Sequence, residues 1–197
     1  MLQKKLILIY NNKILITFLA ISAFFINYYY GFIGIMPMDN TVLFNGGYRV
    51  LKGYIPFTDY WLVTGPLLDY INALFFKLFG ISWSTYIIHS SIINSLLALS
   101  SFYFFQIINL SKLYSLIYAL LISILFYPVL GTPFVDHHSI FFVIISFYSL
   151  IIAIKKKKYK LFSIYTKPFG FIIFIKTNTS CLWNNFYLSF YLNNCFF

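Results

Sequence analysis

The chain has 197 residues, of which 61% are apolar, 23% aromatic and 9% charged, with a mean hydropathy of +0.83. Soluble domains are only about half apolar, so this makeup excludes one of ordinary composition and marks an integral membrane protein. The net charge of +10 does not point to nucleic acid, because all but one of the 14 basic residues are lysines, many flanking apolar stretches, as orientation signals do.

Ile14 to Ile35 is one apolar run, and at about 1.5 Å per residue it can cross a hydrocarbon core of roughly 30 Å. Lys4, Lys5 and Lys13 precede it, which predicts a cytoplasmic N-terminus. The run is longer than a signal-peptide core and lacks a small-x-small cleavage site before Met36, so a signal anchor is expected. Residues 36–83 read as an outer loop, punctuated by Gly46-Gly47, Gly53, Pro56 and Gly65-Pro66. Within it Leu43, Phe44, Val50 and Leu51 share a helical face and Gly53 suits a C-terminal cap, predicting a short interfacial helix. Pro66 to Phe79 reads as a second helix, with Pro in its first turn, Leu67, Tyr70, Ile71, Leu74 and Leu78 on one side, and Gly80 at its end. It reaches only about 21 Å, too short to span comfortably. It should therefore lie along the membrane surface with Asp69 in solvent.

Three more spans are predicted at 84–106, 113–128 and 138–154, followed by Lys155 to Lys158 and Lys160. Four crossings return that lysine cluster to the cytoplasm, whereas counting Pro66 to Phe79 as a fifth would leave it outside. The same count puts all four acidic residues, Asp39, Asp59, Asp69 and Asp136, at the outer face. Carboxylates are costly near a bilayer, so function is sought there. His89 and Asn94, inside the second span, read as hydrogen-bonding groups of helix packing. Beyond Lys160 the pattern breaks down: Pro168 and a polar run from Lys176 to Asn185 neither span nor alternate, and Cys181 and Cys195 fit no metal or redox spacing.

The outer loop contains, in order, Asp39, Gly47-Tyr48, Gly53-Tyr54-Ile55-Pro56-Phe57, Asp59-Tyr60-Trp61, Gly65-Pro66-Leu67, Tyr70 and Lys77-Leu78-Phe79-Gly80. This resembles the amino-terminal part of the polyprenyl-phosphate-sugar-dependent membrane glycosyltransferases of the C-type superfold. The similarity is greatest to the branch with aminoarabinose and galacturonic acid transferases for lipopolysaccharide, alongside protein O-mannosyltransferases. It covers residues 10–160, with Phe57 where the family usually has Tyr and Asn40 where many relatives have Glu. The resemblance implies an all-α membrane fold of about four spans with two surface helices in the first outer loop. It also implies a multi-pass protein of the cell inner membrane that moves a sugar from a lipid-linked donor to a lipid, glycan or protein acceptor.

By that resemblance Asp39 is the base that takes the acceptor proton, while Tyr54, Asp59, Arg49 and Asp136 line the substrate site. Each has a plainer reading. Asp39 precedes a helical pattern and suits an N-cap, Asp59 sits in a turn where Asp is common, and Arg49 either holds a lipid phosphate or pairs with an aspartate. No cofactor is implied. A divalent cation held by one histidine of His137-His138 with Asp136 and a loop carboxylate is the one metal reading, although adjacent helical histidines diverge by about 100° and chelate poorly. Family members carry further spans, so residues 161–197 are expected to be atypical. A frameshift between Lys160 and Phe171 would explain the break, with a divergent native tail as the alternative, and the isolated chain would then be inactive. A small non-enzymatic transporter or flippase subunit is the competing class; it predicts carboxylates inside the spans.

Overall fold

The computed structural model describes residues 2–34, 37–62 and 64–157, with side chains from residue 13 onward. The atypical tail, both cysteines, Lys158 and Lys160 lie outside the described residues. Within them the chain is all-helical: α1 (Leu2–Tyr30), α2 (Pro37–Leu51), α3 (Leu67–Phe79), α4 (Trp83–Ile107), α5 (Lys112–Leu125), a 3-10 turn (Tyr127–Val129) and α6 (Val135–Lys155). Four stretches are long and apolar enough to cross a membrane: Lys13–Tyr30, Trp83–Ile107, Lys112–Val129 and Val135–Lys155. Their number and order are those expected from the sequence. Two shorter helices, α2 and α3, join the first to the second.

The first helix ends at Tyr30, short of the expected Ile35, because two glycine backbones cross there. A Cβ on Gly131, whose φ is +70°, would stand 2.3 Å from the Gly31 nitrogen, and one on Gly31 would stand 2.9 Å from the Gly131 carbonyl oxygen. No side chain fits between them, and α1 gives way to a turn closed by Ile33 N–H and Gly34 N–H on Tyr30 O, at 2.9 and 2.8 Å.

Spanning helices gain no hydrophobic drive to associate in lipid, so they meet through small and polar residues. Asn27 Nδ2 lies 3.0 Å from both Ser90 Oγ and Ser91 Oγ, Asn94 Nδ2 donates to the Ala23 and Ser123 carbonyls at 2.9 and 3.0 Å, and Ser95 Oγ donates to Ala20 O at 3.0 Å. These bonds join α1, α4 and α5, with Leu19, Ala23, Ala98, Phe102 and Ala119 packed beside them. At the far end of the bundle Lys155 Nζ donates to the Ile107 carbonyl, a cation at the last turn of α4 as the helix dipole favours.

The short pair α2 and α3 packs by glycine. A Cβ on Gly46 would lie 2.4 Å from both carboxylate oxygens of Asp69, and one on Gly47 would lie 2.5 Å from the Asn72 Cβ. Gly53, with φ +92°, closes α2 through Gly53 N–H to Val50 O at 2.9 Å and Tyr54 N–H to Arg49 O at 3.1 Å, a Schellman cap. Phe44 then wedges between Phe76 and Tyr86, with ring centroids 4.8 and 5.5 Å away, in a core with Leu43, Leu68 and Val135. Gly46→Ala is expected to lower stability by about 1–3 kcal/mol, since overpacking a tight contact costs that much. Thermal unfolding in detergent checks it, and an unchanged midpoint would mean the helices part without loss.

One expectation is corrected. Asp69 is not solvated: it is only 2% exposed, and α3 buries Leu68, Asp69, Asn72, Ala73 and Phe76 while Tyr70, Leu74 and Leu78 face outward. An apolar face can look toward lipid without cost, whereas a carboxyl and an amide need partners. Their partners lie inside.

Candidate functional site

Asp39 lies within the first turn of α2, not ahead of it as an N-cap would, and its side chain is exposed. A carboxylate there gains about 0.3–1 kcal/mol from the helix dipole. Its neighbour Asn40 is buried; Oδ1 accepts the Thr132 hydroxyl at 2.9 Å, and Nδ2 has no partner among the described residues. Thr132 lies just before α6, whose first turn carries exposed Asp136. The Asn40–Thr132 bond therefore ties the helix start that bears Asp39 to the segment leading into the helix that bears Asp136.

Arg49, Tyr60 and Asp69 form a second group. The Tyr60 hydroxyl donates to Asp69 Oδ2 at 2.8 Å, and the Arg49 guanidinium carbon stands 5.1 Å from the centroid of the Tyr60 ring. Burial pushes the Asp69 carboxyl up to about 6, against the opposing effects of the Tyr60 hydrogen bond and the Arg49 charge. Burial and then the Asp69 charge also raise Tyr60 above its ordinary pKa, so its hydroxyl remains a donor. Arg49 is half-buried in a cation–π contact. Asp59 is exposed, and its Oδ2 accepts the Ile55 N–H at 2.7 Å, a local turn bond of the kind that makes Asp common in turns. Tyr54 follows the Gly53 cap with its ring exposed.

A buried file of hydrogen bonds runs beneath both groups. Asn72 Nδ2 donates to Leu43 O at 3.3 Å, so Asn72 Oδ1 is the atom that meets His89 Nδ1 at 2.6 Å. His89 then carries its proton on Nδ1 and accepts through Nε2 from His138 Nε2, 2.9 Å away. His138 Nδ1 is left to accept from the Tyr127 hydroxyl. This arrangement, with both rings neutral, satisfies these four contacts and leaves His138 Nδ1 with no proton for the Phe134 carbonyl oxygen 3.1 Å away. It links α2, α3, α4, α6 and the 3-10 turn through groups buried in every case.

Sequence reasoning singled out His89 only as a packing residue, quoted Tyr60 only within the loop motif, and gave no role to Asn72, Tyr127 or the partnership of His89 with His138. The signals were there in part. Asp69 and Asn72 lie three apart on α3, and the Gly46-Gly47 pair on α2 marks a surface made for close approach. His138 turns inward to His89, while the His137 ring packs 5.1 Å from Tyr127 and 5.5 Å from Phe126. Among the described residues no three His, Cys, Asp or Glu side chains come together as a metal would need. No family profile, characterised protein or solved structure matches the chain.

Proposed function

We propose that the chain is the amino-terminal part of a glycosyltransferase that takes a sugar from a polyprenyl-phosphate donor and passes it to an acceptor hydroxyl at the outer face of a membrane. One observation carries the reading. An exposed carboxylate, Asp39, opens the helix that follows the first apolar span, and Asn40 beside it is bonded to the segment before Asp136. In this chemistry the acceptor oxygen bonds to the anomeric carbon as the carbon–phosphate oxygen bond breaks. Asp39 takes the acceptor's proton, the lipid phosphate leaves with the electron pair, and the anomeric centre inverts. Arg49 offers the phosphate a fixed fork of donors, with its guanidinium over the Tyr60 ring, whose hydroxyl is held by Asp69.

Binding tests the donor half of this reading. The chain in nanodiscs is expected to take up a polyprenyl phosphate saturably and a polyprenol poorly, and Arg49→Gln is expected to weaken uptake of the phosphate by about 10-fold or more, the scale of a lost charged hydrogen bond. Equal uptake of both lipids would remove the phosphate from the proposal.

The orientation has its own check. In a Cys181→Ser, Cys195→Ser background, a cysteine replacing exposed Thr58 should react with an impermeant thiol reagent from the outside, and one replacing exposed Lys156 should react only from the cytoplasm. Reaction of both from one side would contradict the three crossings between them.

A further inference from the structure

The loop from α2 to α3 displays side chains that loops in water avoid. Tyr54, Ile55, Phe57 and Trp61 are 54%, 55%, 37% and 75% exposed, although the neighbouring Pro56, Tyr60 and Leu62 are buried. Nor is this a slack segment. Asp59 Oδ2 holds the Ile55 N–H at 2.7 Å, the Asp59 N–H returns to Ile55 O at 2.9 Å, and the Phe57 N–H bonds Tyr60 O at 2.9 Å. Phe57 is held at φ +67°, a left-handed conformation unfavourable for a bulky residue. The fold thus spends conformational strain to keep four large, mostly apolar side chains outward.

Two cations flank them. The Lys52 ammonium, just past the end of α2, stands 5.6 Å from the Tyr48 ring centroid, three residues on from Arg49 over Tyr60. The helix dipole alone explains basic residues at the end of α2. It does not explain the apolar tip beside them. Trp and Tyr with aliphatic and Phe side chains next to Lys or Arg is the composition of the bilayer interface, where rings lie at headgroup depth and the cation meets phosphate. The α2–loop–α3 segment itself lies between two helices apolar and long enough to cross a membrane, the one ending at Tyr30 and the one starting at Trp83.

We propose that the loop from Lys52 to Trp61 docks into the outer headgroup layer of the membrane, with Ile55, Phe57 and Trp61 at the acyl boundary and Lys52 beside the phosphates of anionic phospholipids. This anchor does not rest on the glycosyltransferase reading. It would seat α2 and α3 at a fixed depth whatever chemistry they serve.

The full chain is reconstituted in nanodiscs, and the emission of Trp61 is obtained as the difference from Trp61→Phe, a substitution at an exposed ring whose unchanged thermal midpoint verifies the fold. Brominated phosphatidylcholine is expected to quench the Trp61 component about twofold or more, as for rings at the acyl boundary, while aqueous iodide has little effect. Brominated phosphatidylglycerol at the same mole fraction should quench more, because one lysine near the surface enriches an anionic lipid by up to about fivefold, and Lys52→Gln should erase that difference. Iodide quenching without quenching by brominated lipid would overturn the proposal and leave the loop in water, open to a sugar or a soluble protein. Equal quenching by the two lipids, unchanged in Lys52→Gln, would overturn the anionic-lipid part.

Discussion

Asp39→Asn is expected to leave folding and donor binding intact while lowering sugar transfer by about 10²-fold or more, the usual loss for a positioned base. The side chain is exposed, so its removal leaves no cavity. Its structural contribution is limited to the attraction between a carboxylate and the start of α2, worth about 0.3–1 kcal/mol. An amide of the same size gives up only that small attraction, but it cannot accept the proton that the acceptor hydroxyl must lose. Stability and transfer therefore part company in this variant. The comparison is made in membranes carrying either the wild type or the variant and supplied with a polyprenyl-phosphate sugar. Transfer within about twofold of wild type would remove Asp39 from the base's role and turn attention to Asp136 and Asp59.

The second large effect is on stability and comes from Asp69. Its carboxyl has a pKa of about 6 in the folded chain against an ordinary 3.8, so the folded state holds the proton more tightly than the unfolded state does. Asp69's contribution to stability is thus complete below about 3.8 and is lost as pH rises through about 6, a loss of roughly 3 kcal/mol at about 1.4 kcal/mol per pKa unit. The cause is visible at the contact: an ionised carboxylate is pressed onto the α2 backbone at Gly46 with the Tyr60 hydroxyl as its hydrogen-bond donor. Asp69→Asn keeps an oxygen for Tyr60 and has no charge to bury. The melting midpoint of the wild type should fall relative to the variant between about pH 4 and pH 7, and the difference between the two chains cancels the other groups that titrate there. Parallel midpoints across that range would show that the carboxyl does not titrate as its burial requires.

The four helices long and apolar enough to cross a membrane were legible because hydropathy and length point to them, and the limits of α3 because Pro66 and Gly80 mark its ends. The facing of α3 was not legible. In a water-soluble helix the stripe of Tyr70, Leu74 and Leu78 would turn inward, but here that stripe is exposed and Asp69 and Asn72 take the interior. One amphipathic pattern has two solutions, and which one holds depends on what surrounds the helix. The early end of α1 was hidden for a different reason, since it depends on Gly31 meeting Gly131 across a hundred residues of chain. The pairing of His89 with His138 has the same character: 49 residues apart, neither shows its partner until α4 and α6 are packed together. Of the site residues named from resemblance, Asp39 and Asp136 do open helices, and Asp59 is engaged by its own turn. Local pattern carries helix starts and turns, while the Arg49–Tyr60–Asp69 group needed tertiary structure to appear.

Transfer itself is the most direct measurement. Membranes with and without the protein are given a polyprenyl phosphate bearing a radiolabelled sugar, and label in the acceptor fraction is followed together with release of free polyprenyl phosphate. Both should rise together only where the protein is present, and both should collapse in Asp39→Asn. Equal transfer in membranes that lack the protein, or transfer indifferent to the lipid phosphate, would contradict a polyprenyl-phosphate-dependent glycosyltransferase.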